Sequence, residues 1–217
     1  MQGCNAKCVY CHNPDTWIPE SGKEVDDSFI VEKIRKSMSY FAADGGVTFS
    51  GGEPLVQLKS LIPLMKKIKA MDVHTAIETN ASIFNQSVKR LLDLTDLLLL
   101  DLKHIDPKRV EKITGLNFNP LKLADYREEQ SQPFWLRYVL VPGFTDKEKY
   151  LKEIGRIFSA YRMLEKTEIL PYHKSGEEKY ADMCINYRGA DIPVPDKKQI
   201  DRARDILAEN LHNVVVR

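Results

Sequence analysis

The 217-residue sequence has almost no net charge: 32 Lys and Arg stand against 31 Asp and Glu, leaving +1. No strong field draws such a chain to polyanions, which disfavours duplex nucleic acid and anionic membrane surfaces as partners. Long apolar runs are missing too. The longest, Leu97 to Leu100, falls far short of the roughly 20 residues of a bilayer-crossing helix. The N-terminus lacks the charged and apolar segments of a secretory signal, so a cytoplasmic protein is expected. Internal repeats, low-complexity tracts and Gly/Ser linkers are absent, and one domain over residues 1–217 is expected. Cysteine is scarce, with four in the chain, and a reducing compartment gives them no role as a disulfide framework. Cys184 stands alone and is expected to be a buried or indifferent thiol. Cys4, Cys8 and Cys11 crowd together, and their crowding calls for a chemical reason.

What is present in quantity is alternation. A hydrophobic content of 43% suffices for a sizeable core. Short apolar or β-branched runs, Val47 to Ser50, Val73 to Thr79, Leu97 to Leu102, Phe134 to Val141 and Thr167 to Leu170, give way to stretches of helical spacing. Ile30, Ile34, Met38 and Phe41 share one helical face, as do Leu55, Leu58, Ile62, Met65 and Ile68, and later Ile200, Ala203, Leu207 and Leu211. Repeated strand and helix imply an α/β fold with parallel pairing and right-handed crossovers. Loops leaving the carboxyl ends of such strands converge on one face. Those exits read Ser50-Gly51-Gly52-Glu53-Pro54, Glu78-Thr79-Asn80, Asp101-Leu102-Lys103, Pro142-Gly143 after Arg137, and Pro171-Tyr172-His173. Together they predict a site at that rim.

The cysteine segment supports several chemistries. Thiolates are soft ligands for iron-sulfur clusters, zinc or copper(I), and offsets of four and three let one loop wrap a compact metal centre. The same offsets fit one helix face, where cysteines act as small hydrophobes. His12 could complete a Cys3His zinc site, although Cys11 and His12 are adjacent and hard to place on one tetrahedral ion. Cys8-Val9-Tyr10-Cys11-His12 also matches a c-type haem attachment, which would leave Cys4 idle and require export.

Cys4-x3-Cys8-x2-Cys11, with an aromatic residue before the last cysteine, resembles the signature of the radical S-adenosyl-L-methionine (SAM) superfamily, and Gly51-Gly52-Glu53 adds to the likeness. Tyr10-Cys11-His12-Asn13 with Asp15-Thr16-Trp17, Leu100-Asp101-Leu102-Lys103, Arg137-Tyr138 with Val141-Pro142-Gly143, and Leu170-Pro171-Tyr172-His173 resemble one branch, the pyruvate formate-lyase activating enzymes. No cysteine lies between Cys11 and Gly51, where relatives acting on other glycyl radical enzymes carry an inserted cluster motif.

The resemblance implies a partial (β/α)6 TIM-like barrel and an oxidoreductase of anaerobic metabolism. It also implies a 4Fe-4S cluster on Cys4, Cys8 and Cys11, with one iron open to SAM. That difficult chemistry belongs to the cofactor, while the protein positions it. Gly51, Gly52 and Glu53 would receive the SAM amino group. Lys103 would meet its carboxylate, with Asp101 on the ribose or holding Lys103, and Leu102 between them. Tyr10 and His12 would border the adenine, Asn80 would stand at the rim, and His173 would contact SAM. The implied protein substrate is a glycyl radical enzyme, pyruvate formate-lyase, activated at a backbone glycine. Flavodoxin or ferredoxin would supply the electron, and a monomer is expected. Where the family commonly has Asp-Thr-Asn-Gly, this chain has Glu78-Thr79-Asn80-Ala81. The family's cation-binding role is not carried over, and Glu78 is left outside the site. Family members also carry a strand and a glycine-rich segment before the first cluster cysteine. With Met1 so close to Cys4, the first barrel strand is expected to be missing and five strands are counted, the next strand having an exposed edge. The rival readings are an activase of another glycyl radical enzyme, a radical SAM enzyme with a small-molecule substrate and a zinc-binding interaction module.

Overall fold

The computed structural model describes residues 1–41 and 45–217. Six strands form one parallel sheet in chain order: β1 (Gly46–Phe49), β2 (His74–Thr79), β3 (Leu97–Asp101), β4 (Phe134–Leu140), β5 (Leu164–Pro171) and β6 (Val214–Val216). Each next-neighbour pair is parallel. That order requires every crossover to return on the same side. Helices α1 (Asp27–Ser37), α2 (Leu58–Lys69), α3 (Gln86–Leu92), α4 (Pro107–Thr114), α5 (Leu121–Glu129), α6 (Glu148–Phe158), α7 (Glu177–Asp182) and α8 (Lys197–Ala208) supply the crossovers and the C-terminal elements. The sheet is open rather than a closed barrel: among the described residues β1 pairs only with β2 and β6 only with β5.

β4 shows how the strands divide their two faces. Phe134, Leu136, Tyr138 and Leu140 are fully buried, while Trp135, Arg137 and Val139 between them are half-buried on the open side. Leu98 and Leu100 of β3 join the buried set, which packs with Leu64, Met65 and Ile68 of α2 and Leu151, Ile154 and Phe158 of α6 in one core. Local sequence sets the helix ends. In α4, Asp106 accepts from the Lys108 amide at 3.0 Å, Pro107 opens the helix, and Gly115 closes it with a left-handed φ of 76°. None of the helices among the described residues is long and apolar enough to cross a membrane.

The structure corrects the expected elements in four places. A sixth strand exists: Val214, Val215 and Val216 pair with Thr167, Glu168 and Ile169. Three residues carry too little periodicity to announce a strand. β5 is longer than expected, from Leu164 to Pro171. α1 stops at Ser37, and Met38 is 39% exposed at the start of a 3-10 turn rather than on its apolar face. Cys184, expected to be buried or indifferent, is exposed at a left-handed φ of 54°, which removes the buried option.

Candidate active site

Residues 4–13 run as an irregular loop over the carboxyl ends of the strands. The helical alternative for the cysteines is thereby excluded. The loop is tied to the end of α4: the Lys7 amide donates to the Thr114 carbonyl at 3.0 Å and the Val9 amide to Ile113 at 2.9 Å. Cys4, Ala6, Cys8 and Tyr10 line a cavity of about 250 Å3, and Asn5, Lys7 and Val9 between them do not. Cys11 and His12 complete this wall.

Other strand exits form the remaining walls. After β1 the chain bends at Gly51, whose φ of 124° disfavours L side chains. The Gly52 amide donates to the Met1 carbonyl and the Glu53 amide to Gly3, both at 2.8 Å, which seats this turn under the start of the cysteine loop. Gly51 and Gly52 line the cavity, as does Asn80 after β2. Asn80 Nδ2 lies 3.9 Å from Cys4 Sγ, and the Asn13 amide donates to Cys11 Sγ at 3.4 Å. At the end of β3, Lys103 Nζ pairs with Asp101 Oδ2 at 3.3 Å, and both line the cavity. Burial opposes the Lys103 charge, but Asp101, Cys8 and Tyr10 outweigh it and hold the ammonium well above the usual lysine range. The Tyr10 hydroxyl, buried without a hydrogen-bond partner among the described residues, is also pushed up by burial.

Three sequence candidates stand elsewhere. Glu53 is fully buried behind the wall; Oε1 accepts from Thr79 Oγ1 at 2.7 Å and the Leu55 amide at 3.0 Å, and Oε2 from the Asn80 amide at 2.7 Å. Its carboxylate ties the turn after β1 to the exit of β2, and burial raises its pKa despite those donors. Leu102 is buried in the core, 1% exposed. His173 sits outside the lining, its ring 4.0 Å from that of His12 and its carbonyl 2.7 Å from His12 Nε2. Desolvation, then His173, lowers the His12 pKa.

Glu78, left outside the site by sequence, lines the cavity. Its Oε1 pairs with Arg137 Nη1 and its Oε2 accepts from Ser50 Oγ at 2.6 Å. Arg137 Nε also meets Glu168 at 3.2 Å, so a charged row crosses β2, β4 and β5 beneath the cavity. Strand alternation points Glu78 inward, and that was the available signal.

Among the described residues no set of three His, Cys, Asp or Glu side chains converges tightly enough to hold a single metal ion. The donor set nevertheless suits an iron-sulfur cluster. Soft sulfurs ring a cavity, and N–H groups lie near Cys4 and Cys11 sulfurs, the contacts by which proteins tune such clusters.

The radical SAM superfamily matches residues 1–154. A pyruvate formate-lyase-activating enzyme from Staphylococcus epidermidis is 43% identical over 211 residues, 93% of this chain and 84% of that protein. A crystal structure of a domain of such an enzyme from Bacteroides vulgatus matches at a TM-score of 0.65 and 24% identity, covering 79% of this chain and 98% of that one. Streptococcus suis SuiB bound to its precursor peptide SuiA matches at 0.76 and 17% identity, covering 99% of this chain and 46% of that one. With sequence identity this high over nearly its full length, the chain belongs to the pyruvate formate-lyase-activating enzymes of the radical SAM superfamily.

Proposed function

We propose that the chain activates pyruvate formate-lyase with a 4Fe-4S cluster held by Cys4, Cys8 and Cys11 and with SAM bound in the adjoining cavity. The carrying observation is that all three thiols share one cavity with Gly51, Gly52, Asn80 and the Asp101–Lys103 pair. When bound, the cluster and SAM supply one-electron cleavage of a carbon–sulfur bond and the carbon radical that takes a hydrogen atom from a partner glycine.

The chain's own residues bind and orient. Lys103 offers a permanent cation to a carboxylate, and Asp101 fixes its direction. Gly51 and Gly52 let backbone groups approach an amino-acid end closely. Glu53 holds Thr79 and Asn80 in place rather than reaching the cavity itself. Tyr10 and His12 provide flat surfaces for an adenine, and His173 backs His12. Glu78, neutralised by Arg137, forms a polar floor facing the open side of the sheet. The partner's glycine segment enters from that open side. A flavodoxin or ferredoxin delivers the electron to the monomeric enzyme in an anaerobic cytoplasm, where thiols stay reduced.

The test is anaerobic reconstitution followed by SAM and pyruvate formate-lyase. Wild type is expected to take up about four irons with sulfide, release 5′-deoxyadenosine and produce a glycyl radical signal on the partner. Cys8→Ala is expected to abolish all three. Uptake of zinc without sulfide, or unchanged product from Cys8→Ala, overturns the assignment.

A further inference from the structure

After β5 the chain does not go straight into the last crossover. Residues 172–192 fold back across the cysteine loop; Tyr172 and His173 meet the His12 ring, and the contacts farther along fall on the loop's backbone and its continuation. Tyr180 is 3% exposed and its hydroxyl donates to the Cys11 carbonyl at 3.0 Å. Arg188 Nη2 donates to the Lys7 carbonyl. Lys179 Nζ reaches Asn13 Oδ1 at 2.8 Å and Asp15 at 3.0 Å. The approach is close enough that a Cβ on Gly176 would come 2.8 Å from the His12 Cα.

The segment has its own rigidity. Tyr180 packs on Tyr187, ring centroids 4.5 Å apart, and the Tyr187 and Tyr172 hydroxyls are 2.6 Å apart. Trp17, just past the loop, meets Tyr180 edge-on at 5.8 Å. The loop therefore hangs between two supports. Its Lys7 and Val9 amides are held by the end of α4, and its Lys7 and Cys11 carbonyls by the returning strap. Both backbone directions are restrained at once, and Cys8 lies between the two strap anchors.

We propose that Tyr180 and Arg188 are positioning residues that hold the thiol-bearing loop in its ligating conformation before any metal enters. Neither lines the cavity, so neither touches the reacting groups. The inference rests on the reading that Cys4, Cys8 and Cys11 carry the cluster, but the first arm of its test does not.

That arm measures hydrogen exchange at the Lys7, Val9 and Cys11 amides in the metal-free chain, with β3 and β4 amides as the fold control. Tyr180→Phe and Arg188→Ala each remove one hydrogen bond and are expected to speed loop exchange about tenfold with the control unchanged. Arg188→Lys keeps a donor and is expected to restore most of the protection. The second arm reconstitutes the cluster anaerobically and follows iron loss to a chelator, together with the electron paramagnetic resonance of the reduced cluster. Faster iron loss, by about tenfold, and altered g-values are expected in the Tyr180→Phe/Arg188→Ala double variant. Unchanged loop exchange in that double variant overturns the proposal. If exchange accelerates but wild type binds no iron, the cluster reading fails and the positioning role stands. Should Tyr180→Phe fail to fold, Arg188→Ala carries the test alone, since Arg188 is exposed.

Discussion

At the residue scale, burial separates four thiols that are chemically identical in the unfolded chain. Desolvation pushes the Cys8 pKa up to about 11 and raises that of Cys4, while Cys184 lies exposed. Since only the thiolate alkylates, iodoacetamide added to the metal-free chain should modify Cys184 first and Cys8 last. The Cys8 rate should rise towards pH 11, as peptide mapping across a pH series would show. Alkylation of Cys8 alongside Cys184 at pH 8 would disprove its burial. The grouping of Cys4, Cys8 and Cys11 was legible because all three lie on one short loop. The pairing of Glu78 with Arg137 was not, because the two lie 59 residues apart and only strand register brings them together. Glu53 shows the reverse: a motif carboxylate that the fold turns inward, where internal donors occupy both oxygens.

At the element scale, the turn from β3 into α4 carries a pH dependence. His104 is fully buried there; its Nδ1 accepts from the Asp106 amide at 2.9 Å, and its ring meets Tyr150 of α6 edge-on at 4.4 Å. Desolvation, then the nearby Arg109 charge, lowers its pKa to about 4. Protonating Nδ1 would also forfeit the Asp106 bond. The unfolded chain takes up this proton near pH 6.5 and the folded chain only near 4, so His104 favours folding above 6.5. That contribution is lost as pH falls from 6.5 towards 4, by up to about 3 kcal/mol. His104→Gln should flatten the fall in urea midpoint over this window, and an unaltered slope would exclude His104 as its source. This helix was not among those expected from apolar spacing, although Asp106, Pro107 and Gly115 mark its ends locally. Nor was β6 expected, because a three-residue run becomes a strand only when β5 offers its edge.

For the whole molecule, a main core lies beneath six paired strands, and in a smaller cluster Tyr180 and Tyr187 pack with Tyr10. The α4 contacts of the cysteine loop join the two, so the molecule is expected to unfold as one cooperative unit. Two tryptophans sample distant parts of it: Trp17 beside the cysteine loop and Trp135 in β4. Urea unfolding of Trp17→Phe and Trp135→Phe, each followed by its remaining indole and by circular dichroism, should give coincident transitions. Separate midpoints for the two indoles would show that the cysteine loop and its strap unfold independently of the sheet. By itself, the sequence determined the α/β alternation and the grouping of three cysteines on one short segment, because periodicity and close spacing act over a few residues. Tertiary structure alone decided which strand exits share the cavity, that Glu53 and Leu102 turn away while Glu78 faces in, and that a segment near the C-terminus grips the N-terminal loop. Those outcomes depend on register and packing between residues far apart in the chain, and apart from the strand alternation that turns Glu78 inward no local pattern encodes them.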